Sequence, residues 1–207
     1  DTTDVNIGNH TIFVIVDEEN TIDELDESNN ENSLEIRLYR TFENESSSIV
    51  IAELYYHAHP RVNNEFITLY NPSQKKINIS EWYLTNKPQK TREKQTKIMF
   101  PNNATIPPET SLIITQNASA FLWETGEKPD YEYSTDSSGD IPQMICTKKF
   151  TLSNTGGAAA LKDGYNHTID IIVYGDSEYV SKGWNGLSVP KSGSGVILKR
   201  NIHNGIP

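Results

Sequence analysis

Cysteine and long apolar runs are what this 207-residue sequence has least of. Cys146 is the only cysteine, which excludes an internal disulfide framework and any zinc site built from several cysteines. The longest uncharged apolar run covers residues 12–16, whereas a membrane helix needs about 20 apolar residues. We therefore predict that the chain does not span a membrane.

Positive charge is scarce at the start of the chain. The formal net charge is −10, and residues 1–45 alone carry −11 whereas residues 46–207 carry +1. An acidic segment repels phosphate backbones and anionic lipid. We expect no nucleic acid to bind through the first 45 residues.

Helical periodicity is also rare, and short strand patterns dominate instead. Residues 11–16 and 33–39 are typical of two strands joined by a long loop. One helix is predicted at Ala118–Thr125, with Gly126 as its C-cap. Nine further β-rich runs alternate with turn signals, which favours an antiparallel sandwich or barrel. They cover residues 49–56, 65–70, 82–85, 97–100, 111–115, 150–152, 158–162, 168–174 and 196–199.

Three local patterns within these runs give specific expectations. Alternation puts Ile67 and Leu69 on one face of their strand, and we expect one side of that strand to be covered and the other to be wetted by solvent. Trp82 is predicted to fill the sandwich core. The pair Gly156 and Gly157 is predicted to form a hairpin turn.

A series of short motifs follows in a fixed order over about 155 residues. They include IAELY at 51–55, NEFITLYNP at 64–72, ISEWYL at 79–84, LKDG at 161–164, IDIIVYG at 169–175 and GVILKR at 195–200. In this order they resemble the lamin tail domain. Glu81 stands where that family often has glycine, which leaves the type of that turn open.

The resemblance implies an all-β, immunoglobulin-like antiparallel β-sandwich that has no known catalytic residues of its own. Such domains occur in nuclear lamins and in secreted or surface proteins of prokaryotes. In prokaryotes they often accompany nucleases, phosphoesterases or phospholipase-D-like enzymes.

The beginning of the chain carries a second set of motifs, GNHTI at 8–12, VDEEN at 16–20 and IDELDESNN at 22–30. These resemble the closing hairpin of a cell-adhesion-related (CARDB) domain. The predicted organisation is a partial CARDB-like hairpin with an acidic loop at 1–42, a linker at 43–48 and a lamin-tail-like sandwich at 49–207. Two strands bury too little apolar surface to be stable alone. A homodimer formed through this additional N-terminal β-hairpin is one expectation. The alternatives are that the hairpin packs on the rest of the chain, or that it belongs to a domain whose earlier strands are missing from this sequence.

The loop of the hairpin is rich in oxygen atoms that a hard cation prefers. It is not an EF-hand, because the sixth position counted from Asp26 is Glu31 and not glycine. Calcium is one interpretation, and a solvated loop without a cofactor is the other. The candidate calcium ligands are Asp17, Asn20, Glu24, Asp26, Glu27 and Asn30.

Aromatic residues near predicted loops suggest a contact surface. Flat rings stack on sugars and anchor protein interfaces. We predict this role for Trp123, Tyr131 and Tyr133, with core filling as the alternative. The expected partner is a protein or a carbohydrate.

No catalytic motif stands out in the sequence. The segment at residues 192–195 lacks the first glycine of a nucleophile elbow. The predicted function is a non-catalytic extracellular or cell-surface binding or spacer module of a larger protein. The alternative is an accessory domain of a secreted phospholipase-D-like or nuclease enzyme whose catalytic domain lies elsewhere. Six Asn-x-Ser/Thr sequons, at residues 9, 44, 78, 103, 117 and 166, favour an exported chain.

Overall fold

A computed structural model describes residues 8–19, 21–22, 28, 30–38, 49–62, 64–179, 183–184 and 187–201. The chain divides into two compact units, Asp1–Glu43 and Asn44–Pro207. In the described part of the chain, no helix is long and apolar enough to cross a membrane.

The first unit contains a β-hairpin made of β1 (Gly8–Ile15) and β2 (Glu31–Leu38), which pair antiparallel. The two predicted strands are confirmed, with boundaries shifted by up to three residues. Ile12 lies opposite Leu34, and opposite residues share a face with every second residue along each strand. Ile12, Val14 and Leu34 therefore form one apolar face, and they are 46, 57 and 63% exposed.

The second unit is an immunoglobulin-like β-sandwich. Its described residues form twelve strands, one α-helix and a short 3-10 helix at Arg92–Lys94. The strands and the α-helix are β3 (Val50–Tyr55), β4 (Phe66–Tyr70), β5 (Ile77–Asn78), β6 (Tyr83–Thr85), β7 (Lys97–Met99), β8 (Thr105–Ile106), β9 (Ser111–Thr115), α1 (Ala118–Thr125), β10 (Tyr131–Glu132), β11 (Ile145–Cys146), β12 (Gly156–Lys162), β13 (Thr168–Gly175) and β14 (Leu198–Lys199).

Two five-stranded sheets make up the sandwich. Their strand orders are β10-β9-β4-β3-β14 and β11-β7-β6-β12-β13, and β5 pairs with β8 in a small ribbon. The named strands of this unit pair antiparallel, except that β10 runs parallel to β9. Ile67 and Leu69 face a shared core that also contains Leu84 and Leu161 of the other sheet. Trp82 lies in this core, as the sequence predicts.

The far side of β4 is covered, which corrects the expectation that it is wetted. Phe66 and Thr68 are both 4% exposed. The ring of Phe121 on α1 packs edge-on against Phe66, with ring centroids 5.2 Å apart. Burial of these aromatic surfaces holds the helix against the sheet.

The predicted bounds of α1 are confirmed at both ends. Asn117 is the N-cap, and its Oδ1 accepts the N–H of Ala120 at 2.7 Å. Gly126 adopts the left-handed conformation and donates to the Leu122 carbonyl. These two caps satisfy backbone groups that the helix alone leaves unpaired.

The turn before β6 has a left-handed residue at Glu81, where the resemblance to the lamin tail domain leads us to expect glycine. Glu81 has φ of 64°. For a residue with a Cβ atom, this left-handed conformation is less favourable than the right-handed one by roughly 1 kcal/mol. The turn therefore carries some backbone strain at Glu81.

The predicted strand at residues 150–152 is wrong. This segment has no regular secondary structure and pairs with none of the described strands. The Leu152 N–H donates to the Glu65 carboxylate, and the Thr151 carbonyl accepts from Asn86. Side chains therefore replace the ladder that the β-rich sequence suggests.

A partly buried ion pair joins the two sheets. Asp170 on β13 accepts the Ile51 N–H of β3 at 2.6 Å, and Arg200 Nη2 lies 2.9 Å from the same carboxylate oxygen. The Arg200 N–H also donates to the carbonyl of Ala52, the extra residue of a bulge in β3. Burial raises the pKa of Asp170, and the Arg200 guanidinium opposes that shift.

We predict that Arg200→Met lowers the free energy of unfolding by about 3 kcal/mol, because it leaves the Asp170 carboxylate without its counter-ion. Urea unfolding measures this loss. The matched control is Lys199→Met, which removes a solvent-exposed ion pair with Glu53 and should cost less than about 1 kcal/mol. Equal losses of unfolding free energy in the two variants would contradict a special stabilising role for the Asp170–Arg200 pair.

Candidate functional site

Buried carboxylates are the first candidates for chemistry, and Glu65 is one of them. Its Oε2 accepts the Leu152 N–H at 2.8 Å and the Gln116 Nε2 at 3.0 Å. Burial raises the pKa of Glu65 to about 7, although the bond from the Leu152 N–H acts in the opposite direction. The carboxyl joins β4 to the irregular 150–152 segment of the chain.

Glu132 is fully buried and has a comparable role. Its carboxylate accepts the Ala118 N–H at 2.8 Å, the Ser137 N–H at 2.9 Å and the Ser137 hydroxyl at 2.6 Å. These bonds fix the first turn of α1 and the loop that follows β10. The oxygens of Glu132 are thus used to satisfy backbone donors, which is a structural role.

Only part of the proposed calcium loop lies within the described residues. Asp17 and Asn30 are described, whereas Asn20, Glu24, Asp26 and Glu27 are not. The Asp17 carboxylate accepts the Thr21 N–H and hydroxyl, both at 2.9 Å, and the Ile22 N–H at 2.8 Å. The backbone bonds from Thr21 and Ile22 lower the pKa of Asp17.

Metal binding by this loop stays a prediction. Within the described ranges, no three His, Cys, Asp or Glu side chains are grouped as metal ligands, but most of the acidic loop is outside those ranges. A calcium titration by calorimetry tests the prediction, and absence of heat at about millimolar metal would remove it.

The three aromatic residues proposed for a contact surface lie in different environments. Trp123 on α1 is 75% exposed. Tyr131 is half-buried, and its ring packs edge-on against Phe100 at 5.4 Å. Tyr133 is 1% exposed and packs in the same way against Phe150. The proposal of Tyr133 as a surface residue is therefore corrected, since its inward-facing position in the sandwich makes it part of the core.

A cleft that sequence reasoning missed lies beside the start of β12. It has a volume of about 430 Å³, within the usual range of ligand pockets. Gly156 and Gly157 belong to this strand, so the predicted hairpin turn is wrong there. The cleft is lined by Asn86, Gln89, Gly157, Ala158, Ser177, Glu178 and Tyr179.

One buried polar atom of Asn86, a residue that lines the cleft, has no hydrogen-bond partner among the described residues. The Asn86 Nδ2 donates to the Thr151 carbonyl at 2.7 Å. The Asn86 Oδ1 is buried and accepts no hydrogen bond from any residue in the described part of the chain. A buried acceptor without a donor is unfavourable by about 1–3 kcal/mol, so the Asn86 side chain is only half satisfied beside the cleft.

The family model of the lamin tail domain matches residues 43–176. This chain belongs to the lamin tail domain family. The match covers more than half of the sequence and agrees with the immunoglobulin-like sandwich described above. The resemblance of residues 1–42 to a CARDB hairpin stays a prediction, because the matched region of the lamin tail domain begins at residue 43.

Other comparisons add less. No curated protein matches this lamin tail domain protein. A crystal structure of a DUF4876 family protein from Bacteroides thetaiotaomicron VPI-5482 is similar, with a TM-score of 0.48 and 14% sequence identity. The alignment covers 72% of this chain and 57% of that protein, so the chain corresponds to little more than half of its length.

We predict that Glu65 makes the stability of the lamin tail domain depend on pH. Its pKa rises from an ordinary 4.5 to about 7 in the folded chain, so folding favours the protonated carboxyl. This contribution is fully present below about pH 4.5 and is lost as pH rises through about 7, with a total of about 3 kcal/mol. Urea unfolding at several pH values measures the loss.

Glu65→Gln isolates this effect, because glutamine keeps an acceptor for the Leu152 N–H and cannot ionise. The variant should lack the loss of stability between about pH 4.5 and pH 7. Glu127→Gln alters an exposed carboxylate and is the control. A pH profile of Glu65→Gln that coincides with that of the unmodified chain would rule out the assignment.

Proposed function

We propose that this lamin tail domain is a non-catalytic binding or spacer module of a larger extracellular or cell-surface protein. The main observation in support is that the buried carboxylates make hydrogen bonds that stabilise the fold. Glu65, Glu132 and Asp170 accept backbone N–H groups, and each holds together elements that the strand ladders do not join. Such carboxylates stabilise a scaffold on which surface loops make contacts.

The extracellular part of the proposal is supported by two sequons. Asn78, the last residue of β5, and Asn103, two residues before β8, are both exposed. Asn-x-Ser/Thr in a surface loop is the acceptor of N-linked glycans in exported proteins. Labelling of intact cells that express the parent gene with an antibody to this chain tests the location. Labelling that requires permeabilised cells would count against it.

We expect the purified chain to hydrolyse no phosphodiester. The test is an assay with bis(p-nitrophenyl) phosphate, with and without added calcium, magnesium or zinc. Buried acids that accept backbone hydrogen bonds are not placed to move a proton to a substrate. Turnover that persists through repurification, and is lost in Glu132→Gln, would overturn the non-catalytic role.

The alternative is an accessory role beside a catalytic domain of the phospholipase-D-like or nuclease kind. Lamin tail domains of prokaryotes often accompany such enzymes, and an accessory role is compatible with the same non-catalytic fold. The flanking sequence of the parent gene distinguishes the two functions. Paired His-x-Lys motifs there would favour the accessory role.

The N-terminal hairpin supports a further proposal, which is self-association. Its apolar face of Ile12, Val14 and Leu34 is exposed, and an uncovered apolar face is a common mark of an interface. We expect sedimentation to show a dimer that deletion of residues 1–45 abolishes. A monomer both before and after deletion would exclude pairing through this hairpin.

A further inference from the structure

Strand β12 is longer than its neighbour β6, and this leaves an open edge inside the sheet. β12 pairs with β13 from Gly156 to Lys162. Its pairing with β6 begins only at Ala160, which lies opposite Thr85. In the described part of the chain, residues 156–159 therefore have a strand on one side only.

The hydrogen bonds of β13 show which way the peptide groups of this edge point. Val189 donates to the Val173 carbonyl and accepts the Gly175 N–H, both at 2.8 Å, on the side of β13 away from β12. Peptide groups alternate in direction along a strand. The N–H and C=O of Tyr174 therefore point towards β12, where its partner in the register is Gly157.

The next residue of β12, Ala158, points its N–H and C=O to the opposite side. There β6 has already ended, and the space is the cleft beside Asn86 and Gln89. Outside the ladders, no backbone or side-chain hydrogen bond from another described residue reaches the Ala158 peptide groups.

We propose that this cleft binds an extended peptide segment of a partner protein, which adds to β12 as a strand in line with the end of β6. A donor and an acceptor on one residue, pointing the same way, form the pairing unit of an antiparallel ladder. An extended peptide supplies the complementary pair from a single residue. Backbone pairing of this kind gives affinity in strand-addition complexes.

The walls of the cleft add selectivity to the backbone pairing. Gln89 and Glu178 are exposed on its rim, and the half-buried Tyr179 contributes an aromatic wall. Side chains of a strand alternate in direction, so every second side chain of the peptide would face these residues. A sugar offers hydroxyl groups but no repeated donor and acceptor at strand spacing, and it is the less favoured occupant.

This inference names the partner class of the proposed binding module and rests on that function. The probe is a set of nine-residue peptides selected from a random phage-displayed library on the full chain. On saturation with a selected peptide, the Ala158 amide should exchange with solvent about 10-fold more slowly. The amide of Ala160, which is already paired with β6, should change little and is the internal control.

Gln89→Trp tests the site by filling the cleft from an exposed loop, and should raise the Kd of a selected peptide about 10-fold. The matched control is Lys90→Trp, which adds the same ring at the neighbouring exposed residue outside the lining and should leave the Kd unchanged. Ala158→Pro is a second variant, because it removes the N–H that faces the cleft and spares the ladder with β13.

Three results would overturn the proposal. They are failure to select any peptide, equal binding by Gln89→Trp and the unmodified chain, or a glycan-array ligand that Gln89→Trp abolishes while peptides do not bind. If a native partner of the parent protein binds the chain and Gln89→Trp leaves that binding unchanged, the cleft is excluded and the module function stands. Loss of the cell-surface location or detection of turnover would instead contradict the proposed function.

Discussion

Buried backbone N–H groups need acceptors, and the places where the strand ladders cannot supply one determine how this sandwich is held together. Asp170 accepts from Ile51 beside the β3 bulge. Glu65 accepts from Leu152 in a segment without a ladder, and Glu132 accepts from the first turn of α1. A buried unsatisfied donor costs about 1–3 kcal/mol, so each carboxylate stabilises an irregularity that would otherwise be unfavourable.

The same constraint separates the structural part of the molecule from the part available for binding. Glu65, Glu132 and Asp170 are engaged by the fold. Beside the end of β6, by contrast, no carboxylate of a described residue accepts the Ala158 N–H, and the register directs the Ala158 peptide groups towards the cleft. An immunoglobulin-like sandwich can thus be rigid through its buried acids and still present an unpaired strand edge to a partner.

Local signals predicted much of the architecture. The alternation at Ile67 and Leu69 put both on one face, which lies in the core, and Gly126 marked the C-terminal end of α1. Where long-range contacts compete with local preference, prediction failed. The β-rich 150–152 segment forms no ladder because side chains satisfy its peptide groups, and Phe66 is covered because α1 returns over the outer face of its sheet.

By itself, the sequence determined the class of the fold, since alternation, turn residues and helix caps act between neighbours along the chain. It also identified the order of motifs that makes this a lamin tail domain. The tertiary structure alone decided that Tyr133 lies in the core, that Glu65 is a buried carboxyl of raised pKa, and that β6 stops short of Ala158. Burial and strand register depend on residues far apart in the chain, and their contacts exist only once both sheets have formed.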